Sequence, residues 1–365
     1  MKKRINWLDT ARVGALIFIM FNHAISRVFD NYGNQHFEFI KQPWFTQLFK
    51  SAVTVISWLG VPIFLMITGV LILNKRFETK EDIKYFYKHN WASLIIATEI
   101  WSFLGYMYIT LIYNGQVINI DWFFNLFKTM LFINKTEFGC MWYMDMIICL
   151  YTLLPIFAVF IKKYSLNELR VPIILLFVIG FVLPSLYKYF ILFFRDYVNL
   201  NLNSDYFITR YLLYVVAGYA INNNILKKIK TSKIILTFCL VLSITIIMQY
   251  IGYASEYNFN IYYDSVGIFI SSVCLFELFK RYGNCFSIKV QQVFNYISNR
   301  VFGVYMLHIF IVETMFLELK RKTVIFNTEM TTLLYFLIPM IISFILILFL
   351  QQNIFIRKRV LMIKK

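Results

Sequence analysis

Ten apolar runs of membrane-crossing length, separated by short polar stretches, leave this 365-residue sequence few folds to choose from. A hydrocarbon core about 30 Å thick asks for about 20 apolar residues in a helix. The runs fall near residues 11–29, 51–73, 91–113, 141–161, 171–187, 206–221, 234–253, 263–279, 300–316 and 331–350. They predict an all-α, polytopic integral membrane protein of about ten transmembrane helices. The composition agrees, because at 60% hydrophobic residues the chain is more apolar than a soluble domain of this length needs to be. Gly60-Val61-Pro62 and Gly69 interrupt the second run, so a bend or loosening is expected there. Residues 121–133 form a short, aromatic-rich stretch expected to lie in the membrane interface. No Pro/Gly/Ser-rich linker, low-complexity tract or fixed-period repeat divides the chain, so residues 1–365 read as one membrane domain.

The net charge of +17 has a membrane explanation. With the N-terminus inside, the inner segments carry 23 Lys and Arg and the outer segments 9, which predicts that both termini are cytoplasmic. The outer Lys320-Arg321-Lys322 cluster is a local exception. No basic soluble domain is present that could serve nucleic-acid binding. The start, Met1-Lys2-Lys3-Arg4 before an apolar run, imitates a secretory signal. Arg12, Asn22 and His23 break that run and no small-residue cleavage site follows, so it is read as a retained first helix. The five cysteines, Cys140, Cys149, Cys239, Cys274 and Cys285, form no metal-type spacing and read as small buried hydrophobes. The four histidines, His23, His36, His89 and His308, fit no zinc pattern, and no metal is expected. The Lys- and Asn-leaning composition is associated with AT-rich bacterial genomes, so a bacterial cytoplasmic membrane is the expected location.

The first run is the most informative, because it carries Asp9, Arg12, Asn22, His23, Ser26 and Arg27 in an otherwise apolar helix. Arg12 and His23 are eleven residues apart, which is three helical turns plus about 20°, so they share one face and stand roughly 16 Å apart along the axis. Arg12 then sits at the cytoplasmic edge and His23 near mid-membrane, where ionisable groups are costly and mark function. A histidine buried among apolar helices stays neutral and can act as a general base. The plainer reading of His23 is a hydrogen bond to a neighbouring helix. Arg12 can bind a phosphate or pyrophosphate, and its plainer role is a headgroup anchor. A carboxylate could pair with Arg12 or orient His23, and the intramembrane candidates are Glu99, Asp145, Asp264, Glu277 and Glu313, with Arg210 as a further cation.

Four stretches in order resemble the acyltransferase family 3 membrane proteins. Trp7-Leu8-Asp9, Arg12-Val13-Gly14-Ala15 and Asn22-His23 look like the family's opening signature, an Arg, ten residues, then a His. Gly60 to Gly69 resembles its second-helix motif. Met141-Trp142-Tyr143 with Leu150-Tyr151-Thr152-Leu153-Leu154-Pro155 resembles its Trp-Tyr and Leu-Tyr-Pro element. Phe302-Gly303-Val304-Tyr305-Met306-Leu307-His308 resembles its late Gly-x-Tyr-x-x-His element. The family has ten spans. The resemblance implies an O-acyltransferase, most often an O-acetyltransferase, moving an acyl group from cytoplasmic acyl-CoA to a hydroxyl of a cell-surface or lipid-linked carbohydrate. It implies no bound cofactor, with acetyl-CoA as donor substrate. It maps the family's essential His to His23 and its Arg to Arg12, with His23 as base or transient acyl carrier.

The family's Arg-x-x-Arg pair before the third helix is absent, since that region reads Phe86-Tyr87-Lys88-His89-Asn90-Trp91-Ala92-Ser93. Lys84, Lys88 and His89 are left to meet the donor's phosphates as point charges, without Arg's fork. Trp142, Tyr143, Tyr151 and Trp101 are candidates to stack on a sugar, with helix packing as the plainer role. Asp145, at a position the family usually fills with a small or aromatic residue, and His308 complete the candidate substrate contacts. A glycan or solute transporter would show inverted repeats, which are not evident. A sensing module on the same fold would tolerate loss of His23.

Overall fold

The computed structural model describes residues 4–30, 39–134, 139, 141–194, 207–255, 259–321 and 327–363. His36, Cys140 and Lys322 lie outside the described residues. The helices in order are α1 (Asn6–Asp30), α2 (Trp44–Ser57), α3 (Gly60–Thr68), α4 (Lys80–Phe86), α5 (Ala92–Met107), α6 (Ile120–Met130), α7 (Trp142–Lys163) and α8 (Arg170–Phe177). They continue with α9 (Leu183–Phe194), α10 (Phe207–Asn222), α11 (Thr231–Ala254), α12 (Val266–Tyr282), α13 (Ile288–Ser298), α14 (Val301–Arg321) and α15 (Thr328–Leu350). Wider π-type turns prolong α3 through Gly69–Leu73, link α4 to α5 through Tyr87–Trp91, prolong α5 through Tyr108–Tyr113 and link α8 to α9 through Val178–Val182. No strand occurs among the described residues.

Eight helical stretches among the described residues are long and apolar enough to cross a bilayer, and the protein is an all-α polytopic membrane protein. The two other expected spans are helices as well, α10 of 16 residues and α12 of 17. At about 1.5 Å per residue the 17 residues of α12 span about 26 Å, near the lower end of the lengths that cross a hydrocarbon core. The last turns of α12 also carry Glu277, Lys280 and Arg281. Of the four described cysteines, Cys274 is buried, whereas Cys149, Cys239 and Cys285 are exposed. The expectation of buried cysteines therefore fails for these three. Apolar sequence in a membrane helix does not distinguish the packed face from the lipid face.

The described chain divides into two compact units, each assembled from separated stretches. The first holds Met1–Lys75, Phe160–Ser298 and Phe326–Leu333, and the second holds Arg76–Val159, Asn299–Ile325 and Leu334–Lys365.

In the first unit α1 is the central element, packed against α2, α3, α12 and α13. Leu8, Ala11, Ala15, Leu16, Met20 and Ala24 are almost fully buried along it. The expected break in the second run lies between α2 and α3. Pro62 has no N–H to offer the carbonyl of Trp58, so the helix opens at Trp58 and Leu59 and restarts at Gly60. Gly60 lets α3 lie against α1, because a Cβ there would stand 2.8 Å from Ala15 O. Gly69 and Gly218 let α3 and α10 meet backbone to backbone. A Cβ on Gly69 would stand 1.9 Å from Val215 O, and one on Gly218 would stand 2.1 Å from Met66 O. Such small-residue contacts stand in for the hydrophobic drive that lipid does not supply.

In the second unit α6 matches the expected aromatic segment. Asn119 caps it by accepting the Trp122 N–H at 2.8 Å. Trp122, Leu126 and Thr129 form its buried face, where Trp122 Nε1 donates to Thr110 Oγ1 at 2.8 Å and Tyr106 OH donates to Trp122 O at 3.2 Å. Phe123, Phe124 and Phe127 remain exposed, a pattern suited to lying along a bilayer surface.

Candidate functional site

In the first unit the Arg12 end of α1 is built around one buried carboxylate. Asp9 lies one helical turn before Arg12 and accepts from Arg12 Nη1 at 2.9 Å. Its other oxygen accepts from Arg4 Nε at 2.6 Å, and Arg4 Nη2 adds a contact at 3.1 Å. Ser298, at the end of α13, donates Oγ to Asp9 at 2.6 Å and accepts from Arg12 Nη1 at 3.3 Å. Asp9 is about 3% exposed while Arg12 is 25% exposed, so the carboxylate is an internal anchor and the guanidinium a partly open one. The partly open Arg12 guanidinium suits an anionic group. The partner left open for Arg12 is thus Asp9, on its own helix. Ser298 has no signal in the local sequence, because it comes from 286 residues away.

His23 is half-buried farther along the same face. Its neighbour Asn22 donates Nδ2 to Ser57 Oγ at 2.9 Å, and Ser57 donates onward to Thr54 O at 2.7 Å. Those bonds tie the His23 turn to the C-terminal end of α2, just before the Pro62 break. The break and the histidine are therefore parts of one local arrangement.

In the second unit Lys84, Lys88 and His89 are exposed. His89 stacks on Tyr85, with ring centroids 4.1 Å apart, and its Nδ1 lies 3.1 Å from Tyr85 O. The π-type turn that carries Lys88 and His89 is fastened to α7. Tyr87 OH donates to Thr152 O at 2.7 Å, and Trp91 Nε1 donates to Thr152 Oγ1 at 2.9 Å. Thr152 lies within Leu150-Tyr151-Thr152-Leu153-Leu154-Pro155, so that stretch acts here as an anchoring surface.

The Trp-Tyr and Gly-x-Tyr-x-x-His stretches come together in this unit. Tyr143 and Tyr305 have centroids 6.0 Å apart, and Tyr305 and His308 are 5.9 Å apart. Trp142 joins the series edge-on to Tyr143 at 6.2 Å. His308 is fully buried, with Nδ1 3.2 Å from Val304 O. Asp145 Oδ1 and Glu99 Oε2 are buried atoms without a hydrogen-bond partner among the described residues. Trp101 is buried and donates to Val360 O at 3.0 Å, which gives it the packing role.

A group that sequence reading did not assemble lies in the first unit. Asp264 pairs with Lys188 Nζ at 2.6 Å and with Arg210 Nη1 at 3.1 Å. Arg210 and Asp264 are visible singly as intramembrane ions, but Lys188 lies just past the expected fifth run, within α9, and nothing local links the three.

A family model described as an acyltransferase domain, Acyl_transf_3, matches residues 5–351. No curated protein and no solved structure matches the chain. The matched region takes in nearly the whole sequence, including both groups of candidate residues. The chain therefore belongs to this acyltransferase family, and it is a multi-pass membrane acyltransferase.

Proposed function

We propose that the protein is an O-acetyltransferase that moves an acetyl group from cytoplasmic acetyl-CoA to a hydroxyl of a cell-surface polysaccharide or its lipid-linked precursor. The observation that supports this reading is the layout of α1. A partly open guanidinium, held by Asp9 and Ser298, stands at one end, and a half-buried histidine stands roughly 16 Å deeper on the same face. With both termini cytoplasmic, as the charge asymmetry favours, Arg12 meets the donor's phosphates and His23 sits where donor and acceptor can meet. The host membrane is proposed to be a bacterial cytoplasmic membrane.

His23 takes the proton of the acceptor hydroxyl as its oxygen attacks the thioester carbonyl. The C–O bond forms, the C–S bond breaks, and the imidazolium returns its proton to the departing thiolate of CoA. In the carrier variant the imidazole nitrogen attacks the thioester and the CoA thiolate leaves; the acceptor oxygen then takes the acyl group as the C–N bond breaks, and its proton passes to the freed imidazole. On charge alone, Lys84, Lys88 and His89 are anion-binding candidates within the second unit. Trp142, Tyr143, Asp145 and His308 are proposed as carbohydrate contacts of that unit.

The decisive experiment is acyl-group analysis of the host's surface glycan with His23→Ala. Loss of O-acetyl groups, with the variant present in the membrane, is expected. Unchanged acylation would overturn the reading. Arg12→Ala is expected to raise the KM for acetyl-CoA while insertion is kept. Reporter fusions after residues 80 and 195 are expected on opposite sides of the membrane, and two cytoplasmic signals would refute the topology.

A further inference from the structure

The connection between α11 and α12 is gripped from several helices. Gln249 of α11 donates Nε2 to Phe259 O at 3.0 Å and accepts the Ile261 N–H at 2.9 Å. Lys188 of α9 donates to Ile261 O at 2.7 Å, and Tyr214 of α10 donates its hydroxyl to Tyr263 O at 3.0 Å. Ser185 Oγ accepts the Val266 N–H at 2.9 Å. Phe259, Ile261, Tyr263 and Ser265 are buried, yet Tyr262 between them is 38% exposed.

Tyr262 also has φ +59°, in the left-handed region that a bulky side chain rarely enters. A connection that only had to turn would place Gly or Asn there. Strain of this kind persists where the surroundings over-determine it, and it gathers at ligand contacts. Its result here is a tyrosine held partly at the surface. The ring meets the buried Trp58 edge-on, with centroids 5.8 Å apart, and lies 4.4 Å from the ring of Tyr263. Two residues on, Asp264 joins the Lys188–Asp264–Arg210 group, whose net charge is positive. Trp58 directly follows Ser57, which accepts from Asn22, the neighbour of His23. An exposed aromatic face beside fixed polar groups is the chemistry that binds sugar rings: stacking on their C–H face, with hydrogen bonds at the rim.

We propose that Tyr262 is the stacking floor of a carbohydrate subsite, with the Lys188–Asp264–Arg210 group addressing the sugar's hydroxyl or carboxylate groups. This deepens the acetyl-transfer reading and rests on it for one point, that the bound sugar is the acceptor.

The test measures binding without a donor. The probe is a set of fluorescently labelled, de-O-acylated oligosaccharides prepared from the host's own surface polysaccharide, titrated against the full-length protein in nanodiscs. Tyr262→Asn keeps the left-handed backbone but removes the ring, and Tyr262→Phe keeps the ring. Tyr262→Asn is expected to weaken binding about tenfold or more with no fall in thermal midpoint, whereas Tyr262→Phe stays within about threefold. His23→Ala is expected to abolish transfer yet still bind the oligosaccharide, so a failed transfer assay and a failed binding assay remain distinct. Unchanged binding by Tyr262→Asn, equal loss in Tyr262→Phe, or no binding by the wild type overturns the subsite.

Discussion

Adding one methyl group at Gly69 or at Gly218 tests how closely α3 and α10 must approach. Ordinary carbon contacts begin near 3.4 Å, so the 1.9 Å that a Cβ on Gly69 would have to Val215 O is about 1.5 Å too short. The same comparison for Gly218 against Met66 O falls short by about 1.3 Å. Both obstacles are backbone carbonyls inside helices, so no rotamer change relieves them and the two helices must separate. Overpacking of this kind costs about 1–3 kcal/mol, and backbone obstacles put each single variant near the top, about 3 kcal/mol. The separation forced by the first methyl already makes room for much of the second. Gly69→Ala with Gly218→Ala should therefore cost about 4 kcal/mol together, well under the sum, a coupling of about 2 kcal/mol. Denaturant unfolding of the purified protein in detergent, followed by tryptophan fluorescence, measures all four corners of the cycle. Costs that add to within about 0.5 kcal/mol would refute the close backbone approach. So would a Gly69→Ala variant as stable as the wild type. Gly115, with nothing near its Cβ but φ +62°, is a useful contrast, since any cost of Gly115→Ala must come from backbone strain alone.

Two further outcomes follow from polar contacts. Asp9→Asn removes the charge from four short bonds but leaves both guanidinium groups partly open to water, so a loss of about 2 kcal/mol is expected in the same unfolding assay, with a raised KM for the acyl donor; unchanged values for both would dismiss Asp9 as the anchor of Arg12. Glu168, in the turn before α8, accepts from Ser165 Oγ and Ser165 N, each at 2.7 Å, and these bonds hold its carboxyl below the usual range. A depressed carboxyl gives stability that is present above its ordinary pKa and lost as pH falls through the lower, folded value, so hydrogen exchange at the Ser165 amide should lose protection only as pH falls below the ordinary carboxylate range. Glu168→Gln should abolish that pH dependence, and its persistence in the variant would assign it elsewhere.

Much of this was legible in the sequence where the cause was local. Pro62 predicts the break in the second run, since a missing N–H is a property of the residue itself. The Arg12–His23 face follows from helical spacing, which α1 keeps over its whole length. Apolarity located the runs that became α10 and α12. Cys149 and Cys239 escape the expected burial because lipid and protein interior select similar side chains, and Cys285 because it lies in the turn between α12 and α13. The choice of Asp9 over the distant carboxylates was open because i,i+3 spacing permits a pair without requiring it. Ser298 and the Lys188–Asp264–Arg210 group depend on long-range folding. Tyr262 is hidden for a different reason. Left-handed backbone is read from Gly and Asn, and a tyrosine held there by Gln249, Lys188 and Tyr214 leaves no local trace.

The ion pairs of α1 also bear on how the chain enters the membrane as it is made. Ser298 follows Asp9 by 289 residues, which at about 5–20 residues per second is a wait of roughly 15–60 seconds during synthesis. Throughout that interval Asp9 has no α13 to meet. Arg4 and Arg12, however, are its neighbours from the moment the helix forms, at separations of five and three residues. A carboxylate neutralised within its own helix costs less in a bilayer than one awaiting a distant partner. The pairing that holds Arg12 in the folded protein is thus available as soon as α1 forms, before the helices that will cover it are made.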